Sequence, residues 1–273
     1  MSEVKINNEN HLFIFFLYTF IWSWLFWLPG VLNSQGVISI HEAIPFFCGI
    51  FASFGPSIIA IIIIFRYKKI EGVKNLLKRA WQWNFDKKWL IPTIFLGFIT
   101  SSITLIIMIQ IETFPAEYSM ISPILQILMD FFMILFIGGP IAEEFGWRGY
   151  ALDKIQKKYN ALISSLILGF FWSLWHLPLS FISGTTQSNY PFYEFFLMNL
   201  ILSVLYSWLY NNTKGSLSIS ILFHWMMNLS AATIHYWYTR IGRWIGFFTT
   251  IIIVVIIIII WGPTKLSRST KTP

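Results

Sequence analysis

Apolar positions in this chain fall in long, nearly unbroken runs, and polar residues collect between them. A soluble helix would instead carry a one-sided apolar stripe. Eight runs can be marked, at roughly 12–33, 43–65, 89–111, 125–150, 161–182, 192–210, 216–238 and 244–261. Each is close to the ~20 residues a helix needs to cross a ~30 Å hydrocarbon core. The weak alternating segments of a transmembrane β-barrel do not occur. The pattern predicts an all-α fold, a polytopic transmembrane helical bundle of about eight spans. No internal repeat or long linker interrupts it, and the run IIIVVIIIII in the last span reads as lipid-facing filler. The first run lacks a small-residue cleavage site after it and is read as a retained span.

Composition agrees. The chain is 56% hydrophobic and 11% charged, against roughly 25% charged for a soluble domain. Its net charge of +7 does not point to nucleic acid, because the basic residues are distributed as topology signals. With the N-terminus inside, the inner segments hold Lys5; Arg66, Lys68, Lys69, Lys74, Lys78, Arg79, Lys87 and Lys88; Arg148, Lys154, Lys157 and Lys158; Lys214; and Lys265, Arg268 and Lys271. Only Arg240 and Arg243 fall outside. Both termini are therefore expected in the cytoplasm. The 14 tryptophans, several near span ends, fit interfacial anchoring. The single cysteine, Cys48, cannot form an internal disulfide. Three segments are expected: N-terminal spans with a basic amphipathic stretch on the inner leaflet (1–120, the stretch at 66–88), a core carrying the chemistry (121–240), and a last span with a basic tail (241–273). Membrane lipids are the expected surroundings.

Polar residues inside spans are functional candidates, because each costs several kcal/mol unless paired or facing water. One cluster is EEFGWR, with Glu143, Glu144 and Arg148. Glu144 and Arg148 are spaced i, i+4 and can pair on one helix face, while Glu143 lies about 100° away. Adjacent acids in different surroundings can take different roles. The bland reading is a snorkelling charge cluster at the end of span four. A second candidate is His176, just before Pro178; bonding to a neighbouring carbonyl is its bland alternative. A third is His224 with Asn228, again i, i+4, which could simply glue helices together. Counted from the span ends, Glu143, His176 and His224 lie roughly 15, 22 and 14 Å deep at 1.5 Å per residue, so the three could converge.

A carboxylate beside a histidine can activate water as a general base. A second histidine and an amide can donate to a developing oxyanion. That set describes amide hydrolysis, although Glu143, His176 and His224 could equally hold Zn2+ with an open position. Other intramembrane protease patterns fail. HEAIP at His41 has Pro45 where a metalloprotease needs its second histidine, and no nucleophilic-serine or paired-aspartate motif is present.

The three motifs together resemble the CPBP family, also called the Abi or type II CAAX prenyl endopeptidase family of intramembrane proteases. Its pattern is EExxxR, then FxxxH, then HxxxN, on separate spans. Here these are EEFGWR at 143–148, WSLWH at 172–176 and HWMMN at 224–228, with Trp172 in place of the usual Phe. The resemblance spans about residues 121–235. It implies Glu143 as the base activating water with His176, His224 and Asn228 as the oxyanion-stabilising pair, and Glu144, Arg148 and Trp172 as supporting residues. It leaves two routes open, a glutamate mechanism without cofactor and a Zn2+ one. The LP after His176 suggests a prokaryotic plasma membrane. The expected substrate is a peptide or protein C-terminus, a lipid-anchored one included, cut in a cavity between spans four, five and seven that opens toward the cytoplasm. The rival readings are a non-catalytic scaffold or bacteriocin self-immunity protein of the same fold, and a proton-coupled transporter.

Overall fold

The computed structural model describes residues 8–268, apart from 112, 115–118 and 138, and for 8–10 the backbone alone. Lys5 and Lys271 lie outside the described residues. Helices run Asn8–Ser34 (α1), Ala43–Ser53 (α2), Gly55–Lys78 (α3), Leu90–Gln110 (α4), Ile124–Phe136 (α5), Pro140–Gly146 (α6), Asp153–Ile155 (α7), Ala161–Trp175 (α8), Phe192–Asn212 (α9), Leu217–Thr233 (α10) and Arg240–Trp261 (α11). A π-helical stretch, Trp147–Leu152, joins α6 to α7. An isolated bridge between Ile121 and Ile234 is the β-type pairing among the described residues. The protein is thus all-α and multi-pass. Six helices are long and apolar enough to cross a membrane, or seven with α2 and α3 taken as one bent span. α10, at 17 residues, is the eighth segment.

Helices dominate because backbone groups in hydrocarbon must be satisfied within the chain. Where a helix breaks, other residues take over. α2 and α3 meet at a 45° bend, which frees carbonyls at the end of α2. Ser23 Oγ donates to Ala52 O (2.7 Å) and Trp22 Nε1 to Phe51 O (2.9 Å). Small residues bring α8 and α9 together: Ser203 Oγ donates to Ser165 O (2.8 Å) beside Gly169, the close-packed arrangement typical of membrane helices.

The fourth span is not the continuous helix expected over 125–150. α5 stops at Phe136, and Gly139, at φ 107°, opens α6 with Pro140 at its first position. Proline has no N–H to continue the helix before it, and a positive φ at 139 requires glycine. Residues 140–155 then form a deeper-lying segment. α5 contains no buried residue and turns Leu125, Leu128, Phe132 and Phe136 outward. α6 is pressed against α3, since a Cβ on Gly146 would lie 2.4 Å from the Pro56 backbone.

The basic stretch continues α3 to Lys78, with a break at Lys69 (φ 54°). Beyond it Val73 and Leu76 are buried while Lys74 and Lys78 are exposed, so it is one-sided as its sequence suggests. Hydrogen bonds knit each end of the bundle. At one end Arg79 donates to Gly149 O, Gly215 O and Asp153, and Asn211 to Lys265 O. At the other, Gln35 donates to Phe181 O, Ser122 to Ala232 O and Arg243 to Glu194.

Candidate active site

Glu143 sits in the first turn of α6, where the helix dipole favours a carboxylate. It is buried, and its Oε2 accepts from Trp172 Nε1 of α8 (2.7 Å) and Trp147 Nε1 (3.3 Å). Trp172 therefore does more than pack on His176; its indole holds the acid. A Cβ on Gly139 would meet Glu143 Oε1 at 2.3 Å and His224 Cε1 at 3.6 Å. Both side chains thus crowd the same glycine, whose missing Cβ leaves room for them.

His176 caps the C-terminal end of α8, and its Nδ1 bonds Trp172 O at 2.8 Å. A carbonyl can only accept, so Nδ1 carries the proton and Nε2 keeps a lone pair. The carbonyl bond that looked like the bland reading of this histidine is what sets its tautomer. His224, on α10, turns Nδ1 to Glu144 Oε1 (2.8 Å), and the same oxygen accepts from Arg148 Nη1 (2.7 Å). The expected Glu144–Arg148 pair is present and fully buried, but Glu144 also orients His224. Arg148 Nε and Nη2 have no hydrogen-bond partner among the described residues. The guanidinium lies instead over the rings of Tyr206 (3.9 Å) and Trp172 (4.4 Å), a contact that strengthens away from water.

Glu143, Trp172, His176, His224 and Asn228 all line one cavity of about 540 Å³. Glu144 and Arg148 stand behind it. The five residues come from three separate spans, so the sequence-level convergence is realised. The cavity's position differs from expectation. Besides α5, α6, α8 and α10 it is lined from α4, α9 and α11, and it runs to Gln187, Tyr190, Trp237 and Arg243. Those residues lie at the bundle end opposite Arg79 and Asp153.

No group of three or more His, Cys, Asp or Glu among the described residues is arranged to hold a metal ion. Each histidine engages Nδ1, His176 with Trp172 O and His224 with Glu144, which leaves Nε2 as the nitrogen a metal would use, while Glu143 Oε2 accepts from two indoles. Glu143, His176 and His224, the zinc set expected from the sequence, are not such a group.

Three contributors escaped the sequence reading. Trp147 stands i+4 from Glu143, and that spacing could have revealed it. Gly139, in the GGP stretch, carried a turn signal. Tyr206 carried none, because only the packing of α9 puts its ring against Arg148 and His224.

These features define a multi-pass helical membrane protein with a carboxylate and two imidazoles buried around an intramembrane cavity. The profile described as "Type II CAAX prenyl endopeptidase Rce1-like" matches residues 125–230, the part that carries all seven residues. The chain is 30% identical over 240 residues to "CAAX prenyl protease 2" of Methanococcus maripaludis, covering 84% of this chain and 86% of that one. It is also 28% identical over 181 residues to "Lysostaphin resistance protein A" of Staphylococcus aureus, across 62% of this chain but only 38% of that protein's length. The chain belongs to the Rce1-like type II CAAX prenyl endopeptidase family, a family of membrane proteases.

Proposed function

We propose that this protein is an intramembrane endopeptidase that cuts a peptide bond with water activated by Glu143 and His176. The observation that carries the reading is the meeting of Glu143, His176, His224 and Asn228 on one cavity. Glu143 takes a proton from water as the hydroxyl oxygen attacks the peptide carbonyl carbon. His176 Nε2 accepts a hydrogen bond from the same water and directs it. The Asn228 amide donates to the oxyanion, and so does Nε2 of His224 when that ring carries a proton on both nitrogens, its Nδ1–H being held by Glu144. Collapse breaks the C–N bond, and the proton on Glu143 passes to the leaving amine. Glu144 and Arg148 fix His224, as the third group of a catalytic triad fixes its base. In this reading the carboxylate works without a metal.

The substrate is a peptide or protein C-terminus that reaches the cavity, a lipid-anchored one included. The core at 121–240 carries the chemistry, and the basic segments hold both termini on the cytoplasmic side of a prokaryotic plasma membrane. The test is hydrolysis of quenched fluorescent peptides by the purified protein in detergent, with elemental analysis for bound metal. Wild type is expected to cleave without stoichiometric metal, and Glu143→Gln to lose activity while keeping its helical spectrum. Wild-type rates in Glu143→Gln would refute the assignment.

The relative named for lysostaphin resistance supports a second reading, a non-catalytic scaffold or bacteriocin self-immunity protein of the same fold. Under it, Glu143→Gln preserves function in cells, because no base is required.

A further inference from the structure

We infer that Asp130 is a specificity-determining residue whose carboxylate binds a cationic side chain, Lys or Arg, of the peptide held in the cavity; this rests on the endopeptidase reading. Its place on the cavity wall, its lack of a cationic partner and the charges around it all lead there.

Asp130 stands in the middle of α5, within the apolar stretch ILQILMDFFMILF. A carboxylate in such a span is costly unless it is paired or faces water. Asp130 is half-buried and lines the cavity together with Ile134 and Ile137. The three follow at i, i+4 and i+7, so one stripe of α5 forms this wall. Gly139 and Glu143 continue the lining into α6. Phe136, the end of α5, lies six residues beyond Asp130, ~9 Å along the helix axis. An extended peptide covers that distance in about three residues. Glu143 follows just past the break, so a cation on Asp130 stands about three to five residues from the bond to be cut.

The other charged and titratable groups on the cavity are engaged. Glu143 accepts from two indoles, His176 bonds a carbonyl and His224 bonds Glu144. Glu194 is held by Arg243 at 2.6 Å and by Arg240 at 3.5 Å. Arg243, the one Lys or Arg among the described lining residues, also donates to Trp237 O at 2.9 Å. Asp130 has only a neutral neighbour, Gln126, whose Nε2 donates to its Oδ1 at 2.8 Å. Among the described residues no Lys, Arg or His pairs with it. α5 has no buried residue, so no packed core depends on the acid. A carboxylate set in an apolar wall attracts a cation more strongly than one in bulk water. Lys and Arg suit the place, because their apolar stems can lie along Ile134 while the charged head reaches Asp130. An acidic residue at the same point meets like charge, so the wall selects by rejection as well as by attraction.

The test uses the purified full chain in detergent and a quenched peptide of Ala, Leu and Phe. A single variable residue, Lys, norleucine or Glu, is scanned along that peptide. Wild type is expected to favour Lys over norleucine about tenfold in kcat/KM at one position, chiefly through KM, and to reject Glu there. Asp130→Asn keeps the shape and an acceptor for Gln126, and should abolish that preference. Asp130→Lys should turn it toward Glu. A Lys preference that survives in Asp130→Asn would overturn the inference. So would a wild type that cleaves the norleucine peptides with no Lys preference at any position. Binding gives a readout that needs no hydrolysis. The Lys and norleucine peptides, labelled with a neutral dye, are titrated into Glu143→Gln protein and followed by anisotropy. The Lys peptide should bind about tenfold more tightly, and the difference should vanish in Glu143→Gln/Asp130→Asn. Equal binding of the two peptides would overturn the cation site. A difference that depends on Asp130, in a protein that hydrolyses nothing, would support the cation site and refute the endopeptidase reading alone.

Discussion

Replacing Arg148 by Leu removes the cation from a fully buried pair. Glu144 then keeps one partner, His224 Nδ1, and its carboxylate stays buried without a guanidinium. Breaking a buried ion pair from one side costs about 3–5 kcal/mol, because the remaining charge is uncompensated. The guanidinium also lies over Tyr206 and Trp172, a contact worth about 2 kcal/mol when desolvated. Leucine fills part of that space, so the packing loss falls below this figure and the electrostatic part dominates. The double variant Glu144→Gln/Arg148→Leu separates the two. Its amide oxygen still accepts from His224, no net charge is left behind, and its loss should shrink below about 2 kcal/mol, the part of the ring contact that leucine does not replace. The measurement is reversible denaturation in mixed micelles followed by circular dichroism. A single variant within about 0.5 kcal/mol of wild type, the range of ordinary surface changes, would refute the argument. So would a double variant less stable than the single one.

Other outcomes follow from the same geometry. Trp172→Phe keeps a ring of similar shape but removes the 2.7 Å donor to Glu143; a hydrogen bond to a charged group is worth about 1.5–3 kcal/mol, so kcat on a fluorogenic peptide should fall roughly ten- to hundredfold. A change under about twofold would show that Trp147 alone positions the acid. Gly139→Ala puts a methyl 2.3 Å from Glu143 Oε1 at a positive φ; activity should drop about a hundredfold, as for a ~1 Å misplacement, with the helical spectrum kept. Unchanged kinetics would mean that Glu143 shifts freely without consequence. Arg79→Ala strips donors from Asp153, Gly149 O and Gly215 O and should cost about 1.5–3 kcal/mol in micelle denaturation, with peptide hydrolysis retained because Arg79 lies far from the cavity. Selective loss of hydrolysis at full stability would contradict its structural role.

The sequence by itself determined the class of protein and most of the site. Apolar runs of bilayer length force helices, since no other open backbone is satisfied in hydrocarbon. The costly polar residues inside them marked Glu143, His176, His224 and Asn228, and the i, i+4 rule paired Glu144 with Arg148. Both signals are local along one helix, which is why a sequence can carry them. Contacts across helices were decided by tertiary structure alone. Nothing in the order of residues says that Trp172 turns its N–H to Glu143, that Glu144 also holds His224, or that Tyr206 lies under Arg148. The break before Pro140 was written in GGP, yet apolar residues on both sides hid it within one hydropathic run. The cavity's direction was legible least of all. Hydropathy fixes where a chain crosses the membrane, but which end of the bundle stays open depends on how bulky side chains such as Trp147 and Ile155 fill the other.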